Sequence, residues 1–223
     1  MPTVLVTGAN RGIGLEFACQ YAADGWRVIA CCRKPAEAKD LKEVEGNLRV
    51  EMLDVGDDGQ IAALADRLQG EAIDLLINNA GVSGPSSGTE TATWLDVLRV
   101  NCIGPLHVAQ QLADNVARSK RKTIVSISSG MGSIAKADGG GSYMYRTSKA
   151  ALNMAMKTLA EDLKGRRVVV VVVNPGWVRT DMGGKGAPLT PGESVGSMRL
   201  IFDRLKGSDS GKFLRYDGHV LPW

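Results

Sequence analysis

Six consecutive valines, Val168 to Val173, constrain the fold of this chain more than any other stretch. A strand with one wet face alternates apolar and polar residues, because successive side chains point to opposite sides. An uninterrupted β-branched run therefore has both faces buried, as in a parallel sheet covered by helices on each side. The remaining chain supplies such a sheet. Pro2 to Val6, Arg27 to Cys31, Leu48 to Leu53, Ile73 to Ile77 and Thr123 to Ser128 read as further strands. Helical patterns lie between them, near Ile13 to Ala23, Pro35 to Val44 and Asp57 to Leu68, with a longer helix from near Trp94 to Ala117 and another from Tyr145 to near Leu163. This alternation predicts one α/β domain over residues 1–223, a doubly wound parallel sheet with helices on both faces.

A net charge of +3 is too small to make nucleic acid or a membrane surface the main partner. The cluster Arg118, Lys120, Arg121 and Lys122 reads as a solvated loop between a helix and a strand. Cys19, Cys31, Cys32 and Cys102 have neither metal-ligand nor redox spacing, so they read as reduced, mostly buried small hydrophobes, with no metal site. The short apolar start ends at once in Thr7-Gly8, unlike a secretion signal, and the valine run is too short to span a bilayer; the expectation is a cytoplasmic protein.

Ligands of such sheets bind beyond the carboxyl ends of the strands, so the residues following each strand carry the functional reading. The first strand leads into Thr7-Gly8-Ala9-Asn10-Arg11-Gly12-Ile13-Gly14. Glycines allow a tight turn and close backbone approach, and a helix starting near Gly12 offers free N–H groups to a pyrophosphate. That predicts a dinucleotide site. The second strand ends in Cys32-Arg33, with a base where an acid would suit NAD. Arg11 adds a second cation from the neighbouring turn, and the pair favours NADP(H) over NAD(H). Asp54, before Val55, is placed either to accept from an adenine amino group or to cap the next helix. Asn78-Asn79-Ala80-Gly81 suits cofactor contact or the packing of a turn, and Asn101 is a polar residue in mid-helix that needs a specific partner.

Tyr145 and Lys149 stand four apart on a helix and so share a face. A cation beside a phenol lowers its pKa from a reference of about 10, making Tyr145 a proton donor and acceptor near neutrality. Pro175-Gly176 shapes a turn after the valine strand, where Val178 could border a nicotinamide and Thr180 could bond its carboxamide or the phosphates. Trp177 and Met182 suit either a substrate pocket or core packing, and Gly183, Gly184 and Gly186 suggest a mobile lid.

The ordered set, from the Thr7–Gly14 turn through Asp54, Asn78 to Gly81, Asn101, Ser129, Tyr145/Lys149 and Asn174-Pro175-Gly176 to Thr180, resembles the short-chain dehydrogenases/reductases over the whole chain. The stretches after Tyr145 and Pro175, with the final Pro222-Trp223, are similar to the C-factor-like (sniffer-like) carbonyl reductases. The resemblance implies a Rossmann-type sheet of seven strands, the last near Gly211 to Arg215, and an abbreviated lid. It implies hydride transfer between NADPH and a small carbonyl or alcohol, with Tyr145 as acid/base and Ser129 bonding the substrate oxygen. Lys149 would then touch the nicotinamide ribose, and Asn101 would hold a water. A rival implication is a signalling or dinucleotide-sensing protein without turnover. A homodimer is expected, with a tetramer as the alternative, through the spare apolar face of the Tyr145 helix. The chain departs from the common pattern between Ser129 and Tyr145, where Gly139-Gly140-Gly141 marks an insertion that must fold back.

Overall fold

In the computed structural model, which describes residues 1–223, the valine run becomes the sixth strand of a single parallel sheet. The strands are β1 (Thr3–Thr7), β2 (Arg27–Cys32), β3 (Leu48–Met52), β4 (Leu75–Asn78), β5 (Thr123–Ile127), β6 (Val169–Asn174) and β7 (Phe213–Arg215). Their spatial order is β3-β2-β1-β4-β5-β6-β7. Alternate valines of β6 serve two separate cores. Val170 and Val172 join Leu5, Ile29 and Leu76 on one face, while Val169, Val171 and Val173 join Val4, Val6, Val28 and Ile77 on the other. This is the double burial that the run requires.

The first face is covered by α3 (Asp58–Arg67), α5 (Gly104–Gln111), α6 (Ala113–Ala117) and α7 (Tyr143–Asp162), and the second by α1 (Gly12–Ala23) and α8 (Pro191–Phe202). Strand order reverses between β1 and β4, so the chain leaves these neighbouring strands toward opposite faces and a crevice opens between their ends. No helix is long and apolar enough to cross a membrane.

Two expected helices are different. Pro35 to Val44 holds only a 3-10 turn at Pro35–Glu37 and one turn of helix, α2 (Lys39–Lys42). Leu41 is the only residue of α2 that is buried, too little apolar contact to support a longer element. The long helix begins earlier, as α4 (Thr91–Leu98), and then widens into a π turn at Arg99–Ile103 before α5 and α6. Pro105 has no N–H for the carbonyl four residues back, that of Asn101, so a regular helix cannot continue there. Gly104 also presses on the Val55 carbonyl, where a Cβ would stand 2.1 Å from the oxygen.

Gly104→Ala should therefore lose about 1–3 kcal/mol or more by overpacking. Gly196, inside α8 with open space at its Cβ position, is the control. Gly196→Ala should gain about 0.4–1 kcal/mol from chain entropy and helix propensity. Urea denaturation of both variants checks the pair, and equal midpoints would contradict it.

Candidate active site

The crevice is floored by backbone. Gly8 (φ +65°) and Gly12 (φ +55°) take left-handed conformations after β1, and a Cβ on Gly8 would lie 2.9 Å from Ala80 Cα. A Cβ on Gly14 would lie 2.2 Å from the Gly8 carbonyl oxygen. Asn79 clasps this turn: its Nδ2 donates to the carbonyls of Thr7 at 2.9 Å and Gly8 at 3.2 Å. Thr7 Oγ1 accepts in return from the N–H groups of Asn79 and Ala80. The Asn79 side chain is thus spent on holding the two turns together, and Asn78 donates inward to Pro105 O and Ser126 Oγ. No side chain caps α1, and its first turn, Gly12 onward, contains no acidic residue to compete for its free N–H groups.

This crevice is a cleft of about 570 Å³. Gly8 and Asn10 to Gly14 form one wall, Asn79 to Gly81 another, and Arg33, Asp54 and Val55 line one end. Tyr145, Lys149, Pro175 and Thr180 line the other. A floor shaped by three glycines and two cations, Arg11 on one wall and Arg33 at one end, fit a phosphorylated dinucleotide. Arg33 is exposed, while Arg11 makes a surface ion pair with Asp181 at 3.0 Å. Asp54 does not cap the next helix. Its Oδ1 accepts from Gly56 N at 2.9 Å, and Asp57 is the N-cap of α3, accepting from Gln60 N.

Lys149 is buried, and its Nζ donates to the Ile127 carbonyl at 2.9 Å, 5.8 Å from the centre of the Tyr145 ring. Burial lowers the lysine pKa to about 8. The Tyr145 phenol is raised above its ordinary value, chiefly by burial, with a hydrogen bond from Ser129 pulling it partly back. The expected lowering of the phenol by Lys149 is therefore corrected: in this geometry the ammonium is turned toward Ile127 and lies over the ring, and desolvation dominates. The Ser128 hydroxyl is committed to Asn153 Oδ1, to which it donates, and Tyr143 is exposed.

Asn101 lies in the π turn, a feature common at functional sites. Its Oδ1 accepts from Val82 N at 2.8 Å, and its Nδ2 donates to Val82 O and Ser148 Oγ. Its side-chain amide is thus fully committed to these groups. After β6, Gly176 (φ +83°) turns the chain beside Leu189 and Tyr216. Val178 is buried beneath the cleft wall, bridged to Leu189. Thr180 Oγ1 accepts from Gly183 N at 3.1 Å. Trp177 and Met182 do not pack in the core, being 60% and 51% exposed. Val82, Ser148 and Asn153 escaped the sequence reading, since their importance lies in partners distant along the chain.

The Gly139 to Gly141 insertion bulges outward between anchored ends. Ser133 Oγ donates to Pro222 O, Ala135 N to Trp223 O, and Ser142 N to Ser86 O.

Lys149 also gives a pH dependence of stability. Its folded pKa of about 8 lies below the ordinary lysine value of 10.5, so the penalty for burying its charge is full below pH 8 and fades as pH rises to 10.5. Unfolding free energy should therefore gain a rising contribution across that window, which Lys149→Met should abolish. Tyr145, shifted up, opposes it only above pH 10. Parallel urea-stability curves for wild type and variant would contradict this assignment.

The family model described as short chain dehydrogenase matches residues 2–188. C-signal of Myxococcus xanthus is 40% identical over 154 residues, spanning 68% of this chain and 93% of that protein. The fold superposes on carbonyl reductase Sniffer of D. melanogaster with a TM-score of 0.93 at 32% identity, covering 100% of both chains. It also superposes on the NADPH-bound carbonyl reductase from chicken fatty liver, with a TM-score of 0.92 at 34% identity, covering 100% of this chain and 94% of that one.

Proposed function

The chain belongs to the short-chain dehydrogenase family, and from that membership we propose that it is an NADPH-dependent carbonyl reductase acting reversibly on a small carbonyl or alcohol. The observation that carries this reading is the meeting of Tyr145 and Lys149 at one end of a cleft floored by glycine backbone, with the Ser129 hydroxyl beside the phenol. Bound NADPH would supply the hydride. The Gly8 to Gly14 turn and the start of α1 would hold its pyrophosphate, Arg11 and Arg33 its 2′-phosphate, and Asp54 and Val55 its adenine. Asn79, Ala80 and Gly81 would border the ribose, with Pro175, Gly176, Val178 and Thr180 around the nicotinamide.

Tyr145 holds the proton that passes to the substrate oxygen, and Ser129 orients that oxygen by a hydrogen bond. Lys149, mostly protonated at neutral pH and held at the Ile127 carbonyl, would reach the nicotinamide ribose from the same end of the cleft. Asn101 fixes Val82 and the Ser148 turn of α7 around them. Trp177 and Met182 offer apolar surface at the mouth for the substrate. Aspects of a second reading, a signalling protein that binds the dinucleotide without turnover, draw support from the C-signal relative. Turnover on a panel of aldehydes and ketones separates the two.

Tyr145→Phe should lower turnover by about 10²–10⁴ while NADPH binding, followed by fluorescence titration, stays intact. Wild-type activity in that variant would refute the assignment. Arg33→Ala should weaken NADPH by about 10- to 100-fold and NADH little, as expected for a charged hydrogen bond. Equal losses for both cofactors would refute the 2′-phosphate contact. Leu95, Ile103 and Met154 leave apolar surface on α4, the π turn and α7, and we assign a homodimer to that face. Light scattering that gives a monomer at micromolar concentration would exclude it.

A further inference from the structure

Ser129 and Tyr145 stand on different elements joined by an outward-bulging loop, so something else must bring their hydroxyls together. One buried amide is placed to do this. Asn153 lies on α7, four residues beyond Lys149 and eight beyond Tyr145, with 3% of its surface exposed. Its Oδ1 accepts from Ser128 Oγ at 2.6 Å, and its Nδ2 donates to the Gly132 carbonyl at 3.2 Å. Ser128 and Gly132 bracket Ser129, which begins the short 3-10 turn Gly130–Gly132 and accepts from Met131 N at 3.1 Å. That turn lies directly on α7, since a Cβ on Gly132 would stand 2.9 Å from the Lys149 backbone.

We propose that Asn153 is a positioning residue for Ser129, clamping both sides of the turn after β5 onto the helix that carries Tyr145 and Lys149. The inference rests on the reading above, in which Ser129 and Tyr145 share one substrate oxygen. The residue type follows from the two partners. A hydroxyl needs an acceptor and a carbonyl needs a donor, and a side-chain amide supplies both from one short stem. Aspartate supplies acceptors alone, and leucine supplies neither. A buried polar group among apolar neighbours is costly unless bonded, so the clamp holds only in the alignment that satisfies both ends. Because the clamp closes at Gly132, the chain from Ser133 to Ser142 is free to vary without moving Ser129.

The test is a double-mutant cycle of Ser129→Ala and Asn153→Ala with two readouts. Kinetics use NADPH and a carbonyl substrate. Ionisation of Tyr145 is followed by ultraviolet-difference titration, with Tyr145→Phe as the blank. Asn153→Ala should lower kcat by about 10- to 100-fold, the scale of a misplaced catalytic contact, with NADPH binding unchanged. It should raise the Tyr145 midpoint in the same direction as Ser129→Ala, and the double variant should be no slower than Ser129→Ala alone. Multiplying losses in kcat, or a Tyr145 midpoint that moves with Ser129→Ala and not with Asn153→Ala, would overturn the clamp. If Asn153→Ala fails to fold, Ser128→Ala and Asn153→Asp cut the two arms singly and enter the same cycle. A wild type without turnover on any carbonyl would sink the functional reading, while the Tyr145 titration would still decide the clamp.

Discussion

The clasp between Thr7 and Asn79 is the contact on which the cleft depends. At the reversal of strand order, β1 and β4 send their chains to opposite faces and leave backbone groups at the gap without sheet partners. Thr7 Oγ1 takes two N–H groups and Asn79 Nδ2 serves two carbonyls, so the gap is closed by four polar contacts. Buried backbone groups left unpaired there would be costly. The same closure draws Gly8 against Ala80, which is why that turn must be glycine. The glycine floor of the cleft is thus a product of how the sheet repairs its own seam.

What could be read from the sequence obeyed local rules. Six valines demand double burial, the glycine turn demands close backbone approach, and the spacing of Tyr145 and Lys149 puts them on one face. What escaped depended on partners remote in the chain. Asn101 was visible as an oddity in a helix, yet its partners Val82 and Ser148 emerge only when α4 and α7 meet. Pro105 was in plain view, but apolar periodicity on either side of it concealed the π turn. Asn153 looked like any polar position on an amphipathic helix until the turn after β5 lay across it.

The electrostatics of the centre corrected a simple expectation. Two opposite tendencies were assumed to assist each other, a cation nearby and a phenol made more acidic. Burial instead pushes each group toward its neutral form, raising Tyr145 and lowering Lys149. Ser129 is the group that draws the phenol back, so its alignment matters to acidity as well as to substrate orientation. The lysine's tie to Ile127 fixes it to the end of β5, the strand that also delivers Ser129.

The outward bulge at Gly139 to Gly141 lies in exposed chain between two anchored ends. Its two ends are tied down separately, one to the final residues and one to Ser86. A change of length there alters exposed surface alone, while the turn carrying Ser129 and the helix carrying Tyr145 stay joined by their own contacts. Length and anchorage are thereby uncoupled, so this stretch of chain can grow or shrink without a strain that reaches the sheet or the helix on either side of it.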